Sequence, residues 1–143
     1  MEKAIKKSKI KTFPKKIYIN RKDTSSLRYI INENEVENIL LNFGYENLTM
    51  SDYSFSDQVA LFYNASEVIG LHGAGFANII FCKQGSKIIE IKPNSAGDVI
   101  KNLAETNNHI YYDISAAPKT INFNNQAGDI EVNLEELKKK LKL

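Results

Sequence analysis

The sequence predicts an α/β domain in which a mainly parallel sheet is flanked by helices on both faces, three layers in all. Three observations point there. Short apolar runs and helical periodicities alternate about four times with brief connections, the pattern of strand–helix–strand units. Two runs, Glu67 to Leu71 and Lys87 to Ile91, are almost continuously apolar, as strands buried on both faces must be. The first of these passes through His72-Gly73-Ala74-Gly75 straight into a short apolar helix.

The chain has 143 residues, 43% of them hydrophobic and 25% charged, which suits one core and is too short for two full domains. No apolar run reaches the roughly 18–20 residues of a membrane-spanning helix, and the basic start lacks an apolar segment behind it, so neither a span nor a signal peptide is expected. Cys82 is the only cysteine, which excludes an internal disulfide and fits a buried thiol in a reducing compartment. A cytoplasmic setting of bacterial type, peripheral at the inner membrane, is the expectation.

Taken in order, residues 1–16 carry seven lysines against Glu2, close to +6, whereas the whole chain carries +2. Residues 1–15 therefore read as a basic arm or linker, with an anionic-surface contact as the alternative; without aromatic residues among the lysines, nucleic acid is not expected as a partner. The globular domain is expected over 16–143. Lys16 to Asn20 reads as its first strand. Asn32 with Glu35 forms a capping box for a helix whose Val36, Ile39, Leu40 and Phe43 share one face, and Gly44 stops it. Glu46 to Met50 is a second, weakly patterned strand. Ser54 or Ser56 caps a helix through Asn64, and Glu67 to Leu71 is the third strand. Lys87 to Ile91 is the fourth, ended by Pro93. Ser95 and Asp98 repeat the capping logic for a helix burying Val99, Ile100, Leu103 and Ala104, and His109 to Ile114 is the fifth strand. A polar stretch from Ser115 to Asp129 precedes a terminal helix after Asn133, acidic early and lysine-rich late, as the helix dipole favours.

Parallel strands gather their carboxyl ends on one edge, so Arg21, His72 and Glu90 are expected to share a crevice. Gly73 and Gly75 would let the chain turn sharply and approach a ligand, with the N–H groups of the next helix facing it, the geometry of an anion site.

Together these residues resemble a known family. Tyr18-Ile19-Asn20-Arg21, Arg28, Asn32-Glu33, Gln58 ahead of Leu61-Phe62 and Ala65, His72-Gly73-Ala74-Gly75 with Asn78 and Phe81, and Ile89-Glu90-Ile91 with Pro93 are similar in order and spacing to the core of glycosyltransferase family 61, across residues 17–93. The resemblance implies one Rossmann-like half, the donor-binding one, of an inverting enzyme of the GT-B architecture. It implies a nucleotide sugar as substrate, commonly a uridine diphosphate sugar, and a role in glycan or surface-polysaccharide synthesis. Members of the family are longer, so a glycan or protein acceptor would be recognised by an acceptor-binding domain outside this chain. The alternative is a non-catalytic nucleotide-sugar-binding or assembly module.

The chemistry asks for such residue types. Cleavage of a nucleotide sugar builds negative charge on a departing diphosphate, and GT-B enzymes generally meet it without a metal, through cations and helix N–H groups. No cofactor and no metal are expected. Arg21 is the first candidate, since a guanidinium grips phosphate oxygens in bidentate fashion, and Arg28 the second, with a surface ion pair as its alternative. His72 reads either as a phosphate or sugar contact or as a ring that locks its loop. Gly73, Ala74 and Gly75 read as a donor-contacting loop or simply a tight turn. Asn78 reads as a donor contact or a loop tie, Gln58 as a reader of the uracil edge or an ordinary helix residue, and Glu90 as a ribose contact or a structural ion pair. Catalytic roles are expected of Arg21 and His72.

Other classes fit less well. An esterase would need a Gly-x-Ser-x-Gly elbow, which is missing. In Gly73 to Asn78 an asparagine replaces the third glycine of a dinucleotide fingerprint, and the turn follows the third strand. Two glycosylation sequons, Asn47-Leu48-Thr49 and Asn64-Ala65-Ser66, read as chance. A lone half is expected to expose an apolar cleft edge through which copies associate.

Overall fold

The computed structural model describes residues 1–22, 29–119 and 129–143. Five strands, β1 (Lys16–Ile19), β2 (Glu46–Leu48), β3 (Glu67–Leu71), β4 (Lys87–Pro93) and β5 (Ile110–Ala116), form one sheet in the order β2-β1-β3-β4-β5. Every neighbouring pair is parallel, so the expected fold, a three-layer Rossmann-like α/β domain, is what forms. The helices are α1 (Glu2–Lys7), α2 (Glu33–Asn42), α3 (Phe55–Asn64), α4 (Val99–Thr106) and α5 (Leu134–Leu141). Short 3-10 helices occupy Met50–Asp52 and Ala74–Phe81. Among the described residues no helix is long and apolar enough to cross a membrane.

Strand alternation divides the core in two. Ile17, Ile19, Val68 and Ile88 pack with Leu61 and Phe62 of α3, Phe76 and Ile79 of the 3-10 helix, and Ile100 and Ala104 of α4. Tyr18, Ile69, Leu71, Ile89, Ile91 and Ile114 face the other way, onto Val36 and Leu40 of α2 and Leu137 and Leu141 of α5. Side chains of period two supply both faces, which is why β3 and β4 read as unbroken apolar runs.

Local signals and tertiary contacts part company at three places. The basic arm contains α1, which lies beside α3; behind it, Ser8 Oγ and the Lys9 amide both donate to Asp57 Oδ1, at 2.7 and 2.9 Å, and Ile10 and Phe13 pack on the core. Asn32 stands at the start of α2 as expected, but its side chain does not cap it. Its amide instead donates to the Val132 carbonyl and accepts from the Val132 N–H, both at 2.9 Å, joining the start of α2 to the segment before α5. Asp98 likewise begins α4 without a side-chain cap, whereas Ser54 and Asn133 cap α3 and α5 through the Asp57 and Glu136 amides. Of the expected polar stretch from Ser115 to Asp129, residues 120–128 lie outside the described ones.

Candidate functional site

The sheet order places β1 between β2 and β3, so the connections leaving β1 and β3 turn to opposite faces and part at their carboxyl ends. Ligands of open α/β sheets bind in the crevice this opens. Arg21 follows β1 and the His72-Gly73-Ala74-Gly75 turn follows β3, so the topology brings them together.

Asn20, 5% exposed, anchors the end of β1. Its amide donates to Asn47 Oδ1 at 2.6 Å and its oxygen accepts from Thr49 Oγ1 at 3.0 Å and the Lys22 N–H at 3.1 Å. Those bonds tie the end of β1 to β2 and the residue after it, and fix the backbone on both sides of Arg21. From there Arg21 Nη1 donates to the His72 carbonyl at 2.9 Å. The guanidinium lies on Gly73 itself: a β-carbon built there would stand 1.6 Å from Nη1 and 2.8 Å from Cζ.

This corrects the reason for the glycine. Gly73 is extended, with φ 169° and ψ 178°, a conformation open to any residue, and Gly75 has no positive φ. Position 73 needs a missing side chain, so that the arginine can approach, rather than a special backbone. Arg21, Gly73, Ala74 and Gly75, with Asn20 and Met50, line a hollow of about 190 Å³. The first turn of the Ala74–Phe81 helix forms one of its walls.

Arg21 also borders a second hollow, of about 160 Å³, with Tyr18, Lys22, Tyr29 and Glu33. Tyr18 Oη donates to Glu33 Oε1 at 3.2 Å. Partial burial, and then Glu37 one turn away, hold the Glu33 carboxyl above the usual carboxylate range. In the sequence Glu33 stood out only beside Asn32, as one of the residues that carry the family resemblance. A roomier hollow of about 740 Å³ lies between α2 and the amino ends of β1 and β2, lined by residues such as Leu40, Leu41, Phe43 and Tyr45, and contains none of the candidate site residues that are among the described ones.

Other expected site residues sit elsewhere. Glu90 is fully buried and both carboxylate oxygens are engaged: Oε2 pairs with His72 Nδ1, and Oε1 accepts from Tyr111 Oη at 2.5 Å. It therefore has no surface to offer a ribose, because a carboxylate in a sheet interior must spend its lone pairs on protein donors. His72 is buried and its ring faces this carboxylate, while its backbone carbonyl meets Arg21. Gln58 donates to the Met50 and Tyr53 carbonyls at 3.0 and 3.2 Å and accepts from Asn78 Nδ2 at 3.0 Å. Those two residues tie α3 to the 3-10 helix and line neither hollow beside Arg21. Arg28 lies outside the described residues.

A parallel α/β sheet that holds an arginine against a glycine turn at its switch point defines a Rossmann-like domain with a crevice where such folds take their ligands. Residues 1–89, more than half of the chain, match the sequence model of the family described as Glycosyltransferase 61, and the chain belongs to that family. It is also similar to the protein O-linked-mannose beta-1,4-N-acetylglucosaminyltransferase 2 of Xenopus laevis, with 35% identity over 79 residues. That stretch is 53% of this chain but only 14% of the relative's length.

Proposed function

We propose that this chain is the nucleotide-sugar-binding part of an inverting glycosyltransferase, with the donor diphosphate seated beside Arg21 at the β1/β3 crevice. The observation that carries the reading is the Arg21–Gly73 contact, which sets a guanidinium and the first turn of a helix around one small hollow. Attack by an acceptor hydroxyl on the sugar leaves a diphosphate whose charge grows as the bond breaks. A guanidinium held in place before the reaction stabilises that charge without reorganising. Helix N–H groups at the Ala74 turn add partial positive charge from the other side. Arg21 is the catalytic residue in this scheme; His72 contributes its carbonyl, which orients the guanidinium. The acceptor and the group that takes its proton belong to parts of the enzyme beyond this domain. Uridine diphosphate is the favoured donor headgroup on the family resemblance.

Calorimetric titration of uridine, guanosine and cytidine diphosphates, with and without magnesium, tests the reading. Uridine diphosphate is expected to bind weakly and independently of magnesium. Arg21→Ala should weaken it about tenfold or more, since a hydrogen bond to a charged group contributes about 1.5–3 kcal/mol. Equal binding by both proteins would remove Arg21 from the site, and no binding of any diphosphate by the folded chain would overturn the donor assignment. Efficient sugar transfer by this chain alone would show that acceptor recognition is also contained here.

A further inference from the structure

Behind the crevice lies a buried polar chain that starts at Arg21 and His72, inside the family match, and continues through Glu90, Lys92 and Tyr111, past the match's last residue, 89. Its links run in order. Tyr111 Oη on β5 donates to Glu90 Oε1 at 2.5 Å, Glu90 Oε2 pairs with His72 Nδ1, and the His72 carbonyl accepts from Arg21 Nη1 at 2.9 Å. Lys92, two residues along β4 and 6% exposed, brings its ammonium within 4.0 Å of Glu90 Oε1 and 3.5 Å of Asp98 Oδ1, and donates to the Gly97 carbonyl. The backbone is held as well, since the His72 N–H donates to the Ile91 carbonyl at 2.7 Å.

We infer that Tyr111 and Lys92 are positioning residues for Arg21, acting through Glu90 and His72. The inference rests on the donor reading given above for what Arg21 does, but not for how it is held.

Position 90 sits in a strand whose neighbours Ile88, Ile89 and Ile91 are fully buried, where an apolar side chain would pack without any electrostatic penalty. A carboxylate at that place is instead given a donor on each oxygen and a cation nearby. The arrangement leaves Glu90 one orientation, and that orientation determines where the His72 ring stands. With Nδ1 paired to the Glu90 carboxyl, the ring cannot rotate without leaving a buried polar group unpartnered, so the turn carrying the His72 carbonyl and Gly73 is pinned from below. Burial first, and the Glu90 bond second, push the Tyr111 phenol well above its ordinary range, so it remains a donor wherever the protein is folded. Three parallel strands thus contribute to the placing of one guanidinium: β5 through Tyr111, β4 through Glu90 and Lys92, and β3 through the turn that follows it.

The test uses Tyr111→Phe in the full 143-residue chain, with Lys92→Met as the second variant should the first not fold. Long-range proton–nitrogen NMR of the His72 ring, without ligand, reads the first links directly. The Nδ1–H signal is expected to move away from its hydrogen-bonded position and to exchange faster in the variant. Uridine diphosphate affinity, measured in wild type, Tyr111→Phe, Arg21→Ala and the double variant, reads the last link. The expected loss is about three- to tenfold in the wild-type background and none in the Arg21→Ala background, although the fall in thermal stability should be equal in both. An unchanged Nδ1–H signal, or the same fold-loss of affinity in both backgrounds, would overturn the inference and leave Tyr111 a packing residue. If wild type binds no uridine diphosphate, the donor reading fails. The ring signal, together with the Arg21 guanidinium signal, then decides the positioning claim, and both must shift in the variant for it to stand.

Discussion

A methyl group at position 73 tests the site with little effect on the rest of the molecule. In Gly73→Ala the new carbon would fall 1.6 Å from Arg21 Nη1 and 2.8 Å from its Cζ, far inside contact distance, and the nearest atoms belong to the end of a flexible side chain. The guanidinium must therefore swing away by about 2 Å, the difference from an ordinary contact of roughly 3.5–4 Å. Its 2.9 Å bond to the His72 carbonyl goes with it. That loss is of a hydrogen bond from a charged group, about 1.5–3 kcal/mol, lessened because the half-buried guanidinium can turn to water. The backbone at 73 is extended, so alanine fits without strain and reduces the freedom of the unfolded chain, a gain of about 0.4–1 kcal/mol. The two effects partly offset, so a net loss below about 2.5 kcal/mol and a small fall in the thermal midpoint are expected. Uridine diphosphate binding should nevertheless fall by about tenfold, as in Arg21→Ala, because the cation is displaced. Differential scanning calorimetry and titration calorimetry on the same preparation separate the two. Unaltered binding would show that the guanidinium does not act from its place on Gly73, and a destabilisation beyond about 3 kcal/mol would show that the glycine serves the fold.

Gly70→Ala should behave in the opposite way: its added carbon would meet the Ile19 carbonyl oxygen at 3.0 Å, in the backbone of the adjacent strand, so a loss of about 1–3 kcal/mol in urea unfolding is expected. Asn32→Ala breaks both bonds to Val132 and should cost about 1–3 kcal/mol, with amide exchange rising at Val132 rather than in the first turn of α2; the reverse distribution would restore the capping role. Asp57 is held below its ordinary range by the Ser8 hydroxyl first and then the Lys9 amide. A carboxylate lowered by folding contributes above its unfolded pKa and loses that contribution as pH falls through the folded one. Acidification below about pH 4 should therefore release Ser8 and Lys9 from α3, as should Asp57→Ala at neutral pH. Lys9 amide protection that is the same in the variant as in wild type would disprove the tether.

Where side-chain pattern and backbone geometry coincide, the sequence was sufficient. The unbroken apolar runs of β3 and β4 announced strands buried on both faces, and the cap at Ser54, one of two serines the sequence offered, depends on residues three positions apart. Arg21 and the glycine turn were legible as a pair because parallel strands always gather their carboxyl ends on one edge. Long-range partnership was not legible. Gln58 and Asn78 carry no mark in the sequence that they will meet each other, nor does Asn32 that it will hold Val132, one hundred residues away. Tyr111 gave no signal either, since a tyrosine in an edge strand is ordinary until the adjacent strand places a carboxylate beside it.

The sequence by itself determined the layers, the strand directions and the edge on which chemistry gathers, because each depends on periodicity and on the hand of short connections. Only the tertiary structure decided that Glu90 points into the protein, that the His72 carbonyl rather than its ring meets Arg21, and that Gly73 makes room for an arginine. Those outcomes depend on which groups sit within a hydrogen bond's length of one another, and that is fixed by how the strands lie side by side.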